Sequence, residues 1–343
     1  MSITSLFGIE LPIIQAPMAG AQGSALAIAV SNAGGLGSLG CAVLPPEAIR
    51  QELAAIAAAT RKPYNVNFFC HAHVTSDPRE DAWRRRLAPY YTELGLDPNA
   101  VAPGPQRLPF NDEVANLIEE FTPPIVSFHF GLPSPELVRR IKSWGSKVIS
   151  SATTVAEARH LEEHGADAVI AQGFEAGGHR GMFLTHDLNT QLGTLALVRQ
   201  VRAAVKVPVI AAGGIADASG VAAARALGAD GVQVGTAFLF TPEATISPLH
   251  RAALKSEAAA VTAVTNVFTG RPARAIVNRI VREVGPMSAE APPFPLAATA
   301  VMALRAKAES TGNTDFTSLW SGQSARLCRE MPAADLTRQL ARR

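Results

Sequence analysis

The chain has 343 residues, too many for one ordinary hydrophobic core and too few for three domains; one barrel of about 250 residues plus a smaller appendage fits that length. Hydrophobic residues make up 48% and charged residues 17%, below the usual charged share of roughly 25%, which excludes a disordered chain or a charged coiled coil. The net charge of +2 argues against nucleic acid as a partner, and Cys41, Cys70 and Cys328 are too few and too far apart for a disulfide framework or a zinc site, as suits a reducing cytoplasm.

The N-terminal MSITSLFGIELPII shows no basic leader and no small-residue cleavage site, so no signal peptide is expected. Residues 11–46 carry no charge, but glycines, prolines, Gln15, Gln22, Ser31 and Asn32 interrupt them too often for a membrane span. A cytoplasmic protein with no membrane contact is the expectation. Short apolar runs then alternate with helical segments. Strands are predicted at 13–18, 35–40, 64–70, 125–130, 147–152, 168–172, 207–212 and 231–238, with helices at 24–33, 46–59, 135–143, 155–164, 192–204 and 217–227. Ser134 and Thr154 are placed to cap helix starts, and Gly165 and Gly228 follow helix ends. Runs such as VPVIAA are apolar on both faces, as strands covered by helices are. Eight such units read as a (β/α)8 TIM barrel, with an open doubly wound sheet as the alternative.

Two segments fall outside the alternation. Residues 76–110 are polar and proline-rich and read as an active-site loop or small helical insertion. Residues 239–315 are alanine-rich and read as a helical lid over the barrel mouth, leaving 1–238 and 316–343 to the barrel. Lys307 or a neighbour on that lid is expected to face the substrate. A last helix near 321–330 is expected to close the barrel, and the basic runs Arg84-Arg85-Arg86 and Arg342-Arg343 read as solvated surface.

Two motifs are decoys. Residues 35–40 spell G-x-G-x-x-G, but a helical segment precedes them and a strand follows, the reverse of a dinucleotide site. His160 and His164 fit H-x-x-E-H, but they sit towards the C-terminal end of a crossover helix, away from the catalytic face, where histidines commonly favour the helix dipole.

In a barrel of this kind, function collects where strands end. Asn67 and His71 end the third strand, His129 the fourth and Gln172 the sixth; Gly177, Gly178, His179, Arg180 and Gly181 follow at once. Gly213 and Gly214 end the seventh strand, and Gly235 and Thr236 the eighth. Read alone, His129 fits a core histidine satisfied by a neighbour equally well. Glycines at the last two strand ends let backbone N–H groups approach phosphate oxygens, and Thr236 adds a hydroxyl. Asn67, Gln172 and Gln233 offer amides to a flat ring with polar edges. A phosphate cradle together with such amides points to FMN. The rival, a Schiff-base aldolase, needs a lysine at a strand end inside the barrel. Lys147 and Lys206 begin strands, and the other lysines lie in helices or loops.

These residues resemble the nitronate monooxygenases of class I. The matching segments are PIIQAPMAG (12–20), AVSNAGGLGSLG (29–40), VNFFCH (66–71), AQGFEAGGHRGMF (171–183), VIAAGGIADASGVAAARALGADGVQVGTAFL (209–239) and LWSGQS (319–324). The pattern departs at Val74, where the family's CHxxP has proline, beside the 76–110 excursion. The resemblance implies a TIM barrel with a smaller second domain and FMN held by Met18, Asn67, Gln172, Gly177, Gly178, Gly213, Gly214, Gln233, Val234, Gly235 and Thr236. It makes His179 the catalytic residue, and no metal is implied. A histidine can deprotonate a nitroalkane carbon or, protonated, hold a nitronate; electron transfer belongs to the flavin and dioxygen is the acceptor. Cys70 is a second nucleophile candidate, though a cysteine in such a run is usually inert. An FMN-dependent NAD(P)H reductase of quinones or enoyl thioesters on the same barrel is the runner-up, and a cofactor-free phosphate-binding lyase or isomerase the third reading.

Overall fold

Apolar runs with no polar face need cover on both sides, and each run here is followed by a helix whose apolar stripe supplies it. The computed structural model describes residues 2–98 and 107–342; Met1, residues 99–106 of the 76–110 excursion and Arg343 lie outside the described residues. All eight expected barrel strands are present: β1 (Ile13–Gln15), β2 (Gly37–Gly40), β3 (Tyr64–Phe69), β4 (Ile125–His129), β5 (Lys147–Ala152), β6 (Ala168–Gln172), β7 (Val209–Ala212) and β8 (Gly231–Val234). They pair in parallel in the order β1-β8-β7-β6-β5-β4-β3-β2. The ring closes where Ile14 bridges Leu36 and the Gln15 N–H donates to the Leu36 carbonyl at 2.9 Å. That closure makes the sheet a (β/α)8 barrel and removes the open-sheet alternative.

The expected helix signals act as read. The Ser134 and Thr154 hydroxyls accept from the N–H groups of Leu137 and Glu157, and Gly165 and Gly228 take positive φ past the ends of their helices. The N-terminal helix Ile3–Phe7 plugs the barrel floor, where Ile3 and Phe7 pack with Ile14, Leu36, Ile149, Ile170 and Ile210. The opposite end of the barrel is therefore the open one.

The helix expected near 321–330 is not formed. That stretch holds only the 3-10 turn Ala325–Leu327, and the closing helix is Ala333–Leu340, packed against Ser24–Asn32 and Ala218–Ala226. Pro332 at its N-cap and Asp335 in its first turn place its start later than composition suggests.

Segment 239–315 carries helices Pro248–Lys255, Arg279–Glu283 and Ala297–Ser310, and also an antiparallel hairpin, β9 (Thr262–Thr265) and β10 (Ala273–Ile276). The excursion after β3 contributes the helix Glu80–Glu93 to the same core: Trp83, Leu87, Tyr90 and Tyr91 are buried with Val267, Phe268, Val301, Leu304 and Phe316. The Trp83 indole N–H donates to the Ala297 carbonyl (3.1 Å) and the Tyr91 hydroxyl to that of Ala300 (2.5 Å). The insertion reading of 76–110 thus holds for its described helix, which packs into the lid core rather than the barrel. Among the described residues no helix is long and apolar enough to cross a membrane.

Candidate active site

A cavity of about 400 Å³ opens at the C-terminal strand ends, between the barrel and the lid residues Ile246, Ser247, His250, Thr269 and Arg305. Ten of the eleven residues expected to hold the cofactor line it: Met18, Asn67, Gln172, Gly177, Gly178, Gly213, Gly214, Gln233, Gly235 and Thr236. Val234 does not. Strand alternation turns its side chain into the core between barrel and helices, and its carbonyl accepts from the Ala16 N–H at 2.8 Å.

One side of the cavity is glycine-lined. Gly213 and Gly214 have φ of 108° and 74°, a conformation side chains resist, which turns the chain sharply after β7. Segment 320–324 crosses beside them. The Gly322 N–H donates to the Thr236 hydroxyl (2.9 Å), the Ser324 hydroxyl donates to the Gly214 carbonyl (2.7 Å), and a Cβ on Gly177 would lie 2.5 Å from the Gly322 nitrogen. Trp320, Gly322 and Ser324 were not read as site residues from the sequence, although LWSGQS was part of the resemblance. Gln233 Oε1 is buried with no partner among the described residues, so a donor from a bound molecule is what would satisfy it.

The other side is built around His179. Gln172 clamps the loop that carries it: its Nε2–H donates to the His179 carbonyl (2.9 Å) and its Oε1 accepts the Gly181 N–H (2.7 Å). One N–H of an amide expected to serve a ring is therefore left for the cavity. Arg180, fully buried, donates to the carbonyls of Gln172 (2.7 Å) and Gly173 (2.6 Å) and so caps the end of β6. Glu175 accepts from the backbone and hydroxyl of Thr194, tying the loop to the next helix. Gly178–His179 also pairs antiparallel with β10, His179 opposite Ala273, so the histidine loop is the third strand of the lid sheet.

The His179 Nε2 lies 2.9 Å from the Thr269 hydroxyl, whose own proton points towards the Arg271 carbonyl (3.5 Å). Nδ1 makes no hydrogen bond among the described residues, and His179 lines the cavity; with Nε2–H donating to the Thr269 hydroxyl, Nδ1 would carry the lone pair. Rings of Phe69, Phe130, Phe294 and Trp320 stand 5.4–6.2 Å from the imidazole. Burial first, then the neighbouring His129 and the cations Arg107 and Arg271, hold His179 well below the usual histidine range, so it is neutral at neutral pH.

The other candidates sort differently. His129 Nε2–H donates to the His179 carbonyl (3.1 Å) and its Nδ1 accepts from Ser151 (3.1 Å), which makes it a satisfied supporting histidine. His71 donates to the Arg107 carbonyl (2.8 Å). Burial pushes the Cys70 thiol well up, in keeping with an inert cysteine. Lys307 is exposed; two residues earlier on the same helix, and so on another face, Arg305 lines the cavity. His160 and His164 stack at 3.9 Å beside a separate, smaller cavity lined by 130–133, and Gly37 lets β2 touch helix Ser24–Asn32, since a Cβ there would lie 1.9 Å from the Ala27 carbonyl.

Burial pushes His129 down to about 3 and His250 down to about 4. Unfolded histidines titrate near 6.5, so between roughly pH 6 and 4 the unfolded chain binds more protons and stability falls as the pH falls, by about 1.4 kcal/mol per pH unit for each. Denaturant titrations should give a lower midpoint at pH 5 than at pH 7. Equal midpoints would mean that neither histidine is shielded in solution.

With glycines and a neutral histidine gathered at the open end of a parallel barrel, the class of protein is a TIM-barrel oxidoreductase. Residues 1–342 match the family described as nitronate monooxygenase, and the chain belongs to that family. It is 45% identical to the nitronate monooxygenase of Pseudomonas aeruginosa, the alignment covering 98% of this chain and 97% of that one. Among solved structures, nitroalkane oxidase from Streptomyces ansochromogenes superposes with a TM-score of 0.91 at 39% identity, covering 99% of this chain and 97% of that one. FabK from Thermotoga maritima superposes with a TM-score of 0.75 at 32% identity, covering 99% and 94%.

Proposed function

We propose that the chain is an FMN-dependent nitronate monooxygenase, oxidising alkyl nitronates, and nitroalkanes after removal of a proton, with dioxygen to carbonyl compounds and nitrite. The observation that carries this reading is a buried, uncharged His179 in the wall of a cavity that the glycines at the ends of β7 and β8 also line. The names of the relatives from Pseudomonas and Streptomyces support it.

The residues fit the cofactor. Gly213, Gly214, Gly235 and Thr236 would receive the phosphate, and Asn67, Gln172 and the unpartnered Gln233 would face the ring edge. One anion cradle and no dinucleotide fingerprint favour FMN over FAD. The flavin supplies the electron transfer to dioxygen when bound. His179 Nδ1 takes the proton from the carbon bearing the nitro group, and the resulting imidazolium stands beside a nitronate of opposite charge. Gln172 and His129 fix the His179 backbone, and the surrounding rings keep water from the pair. The helix Glu80–Glu93 and segment 239–315 act as the lid and shape the substrate side.

The purified protein should be yellow and release FMN on heating. Mixed anaerobically, a nitronate should bleach it and NADH should not. Bleaching by NADH alone would make it a nicotinamide-dependent reductase, and a colourless protein that takes up no flavin would remove both.

A further inference from the structure

A guanidinium taken out of water normally faces a carboxylate or saturates its N–H groups on carbonyls, because unpaired buried charge is strongly unfavourable. The arginines around this cavity mostly obey. Arg305 pairs with Glu309 at 2.7 Å. Arg180 and Arg274 donate to carbonyls at the end of β6 and at Phe174. Arg271 donates to the Met182 carbonyl and lies 3.8 Å over the Phe130 ring, while its buried Nε has no partner among the described residues.

Arg107 does not. Its side chain lines the cavity and makes no ion pair or hydrogen bond among the described residues; its one contact is the Phe294 ring, 5.9 Å from the guanidinium carbon. Burial pulls it below the usual arginine range with no carboxylate opposing the shift. Among the described residues no Asp, Glu or Lys lines the cavity. The Arg107 charge nevertheless reaches His179, as does that of Arg271. The Arg107 backbone is held independently of its side chain, since His71 Nε2–H donates to the Arg107 carbonyl at 2.8 Å.

We propose that Arg107 anchors the substrate: its guanidinium receives the two oxygens of the nitronate beside His179, so the enzyme selects the anion over the neutral nitroalkane. The inference rests on the function proposed above. A planar guanidinium matches a planar two-oxygen anion with paired N–H donors, as it matches a carboxylate. The Arg271 charge, which Glu157 partly offsets, adds a second positive field at His179.

The test uses flavin-loaded wild type, R107Q and R107K, with nitrate as a planar anion that cannot be oxidised. Nitrate should perturb the visible flavin spectrum of wild type and compete with nitronate. R107Q should raise the nitronate KM by roughly 10–100-fold, the range of a hydrogen-bonded charge pair, with kcat changed less and nitrate binding weakened in parallel. R107K should fall between, added guanidinium ion should restore part of the loss in R107Q, and the KM for a neutral nitroalkane should move little. An unchanged nitronate KM and nitrate titration in R107Q, or in R107K if R107Q does not fold, overturns the proposal. Equal losses for both substrates overturn it too, because they mark a structural role. If wild type does not turn over nitronate at all, the proposed function fails instead, and Arg107-dependent nitrate binding would still support an anion site here.

Discussion

Replacing His179 by asparagine is expected to abolish turnover of neutral nitroalkanes while pre-formed nitronates keep much of theirs. Asparagine preserves the loop, because the groups that hold it use the His179 backbone: its carbonyl accepts from Gln172 and His129, and its strand pairs with β10. What is lost is the Nδ1 lone pair. A nitronate needs no deprotonation, so the two substrates should diverge by the worth of general-base assistance, about 10²–10⁴-fold. Flavin content should stay the same, since the imidazole is not among the groups assigned to the phosphate. Because His179 is held neutral well below the usual histidine range, wild-type kcat/KM for the neutral substrate should also show no fall near pH 6.5 in the free enzyme. Equal losses for both substrates in His179→Asn would mean that the imidazole binds the nitro group rather than taking a proton. With Arg107, the pair forms a double dissociation: one substitution penalises the neutral acid, the other the anion.

Replacing Gly235 by leucine should give a folded, nearly colourless protein. A Cβ at this position meets only the Ala16 Cβ at 3.6 Å and the Met18 sulfur at 4.0 Å, and the backbone φ of −108° accepts a side chain. The leucine therefore grows into the cavity, where the phosphate is expected, instead of into the protein. Losing the close approach of several backbone donors, each worth about 1.5–3 kcal/mol to a charged acceptor, should weaken flavin binding by at least about 10²-fold. Gly173 is the contrast: a Cβ there would lie 1.9 Å from the Thr194 hydroxyl, so its substitution should disturb the loop itself. Flavin-to-protein ratio and melting temperature separate the two. A Gly235→Leu protein that keeps full flavin would move the phosphate elsewhere.

The barrel was legible because its strands are buried on both faces and read as uninterrupted apolar runs. The same property blurred their ends. Residues 231–238 look like one strand, but the chain turns at Gly235 into the helix Thr236–Leu239, and an apolar run without periodicity cannot distinguish the two. The hairpin of the lid was hidden because TAVT and ARAI are short and alanine-bearing, and the strand that completes their sheet, Gly178–His179, lies far off in a glycine loop. The glycines and His179 were readable from their position after strand ends. Thr269, Trp320, Arg107 and Arg305 were not, because their place at the cavity follows from how lid and barrel dock. The expectation of Lys307 or a neighbour at the cavity is met by Arg305 and not by Lys307, because counting along a helix does not show which face is turned inward.

The shared sheet has a consequence for how such enzymes can diversify. Since Gly178–His179 is a strand of the small sheet as much as a loop of the barrel, His179 and the hairpin of segment 239–315 form one mechanical unit. A lid borrowed from a relative brings its own register opposite Ala273 and Arg274, and with it a new placement of the imidazole. Changes of substrate made by exchanging whole lids should thus be filtered by hairpin register, whereas point changes on Ala297–Ser310 leave that register untouched. Redesign of specificity has its freest ground on that helix.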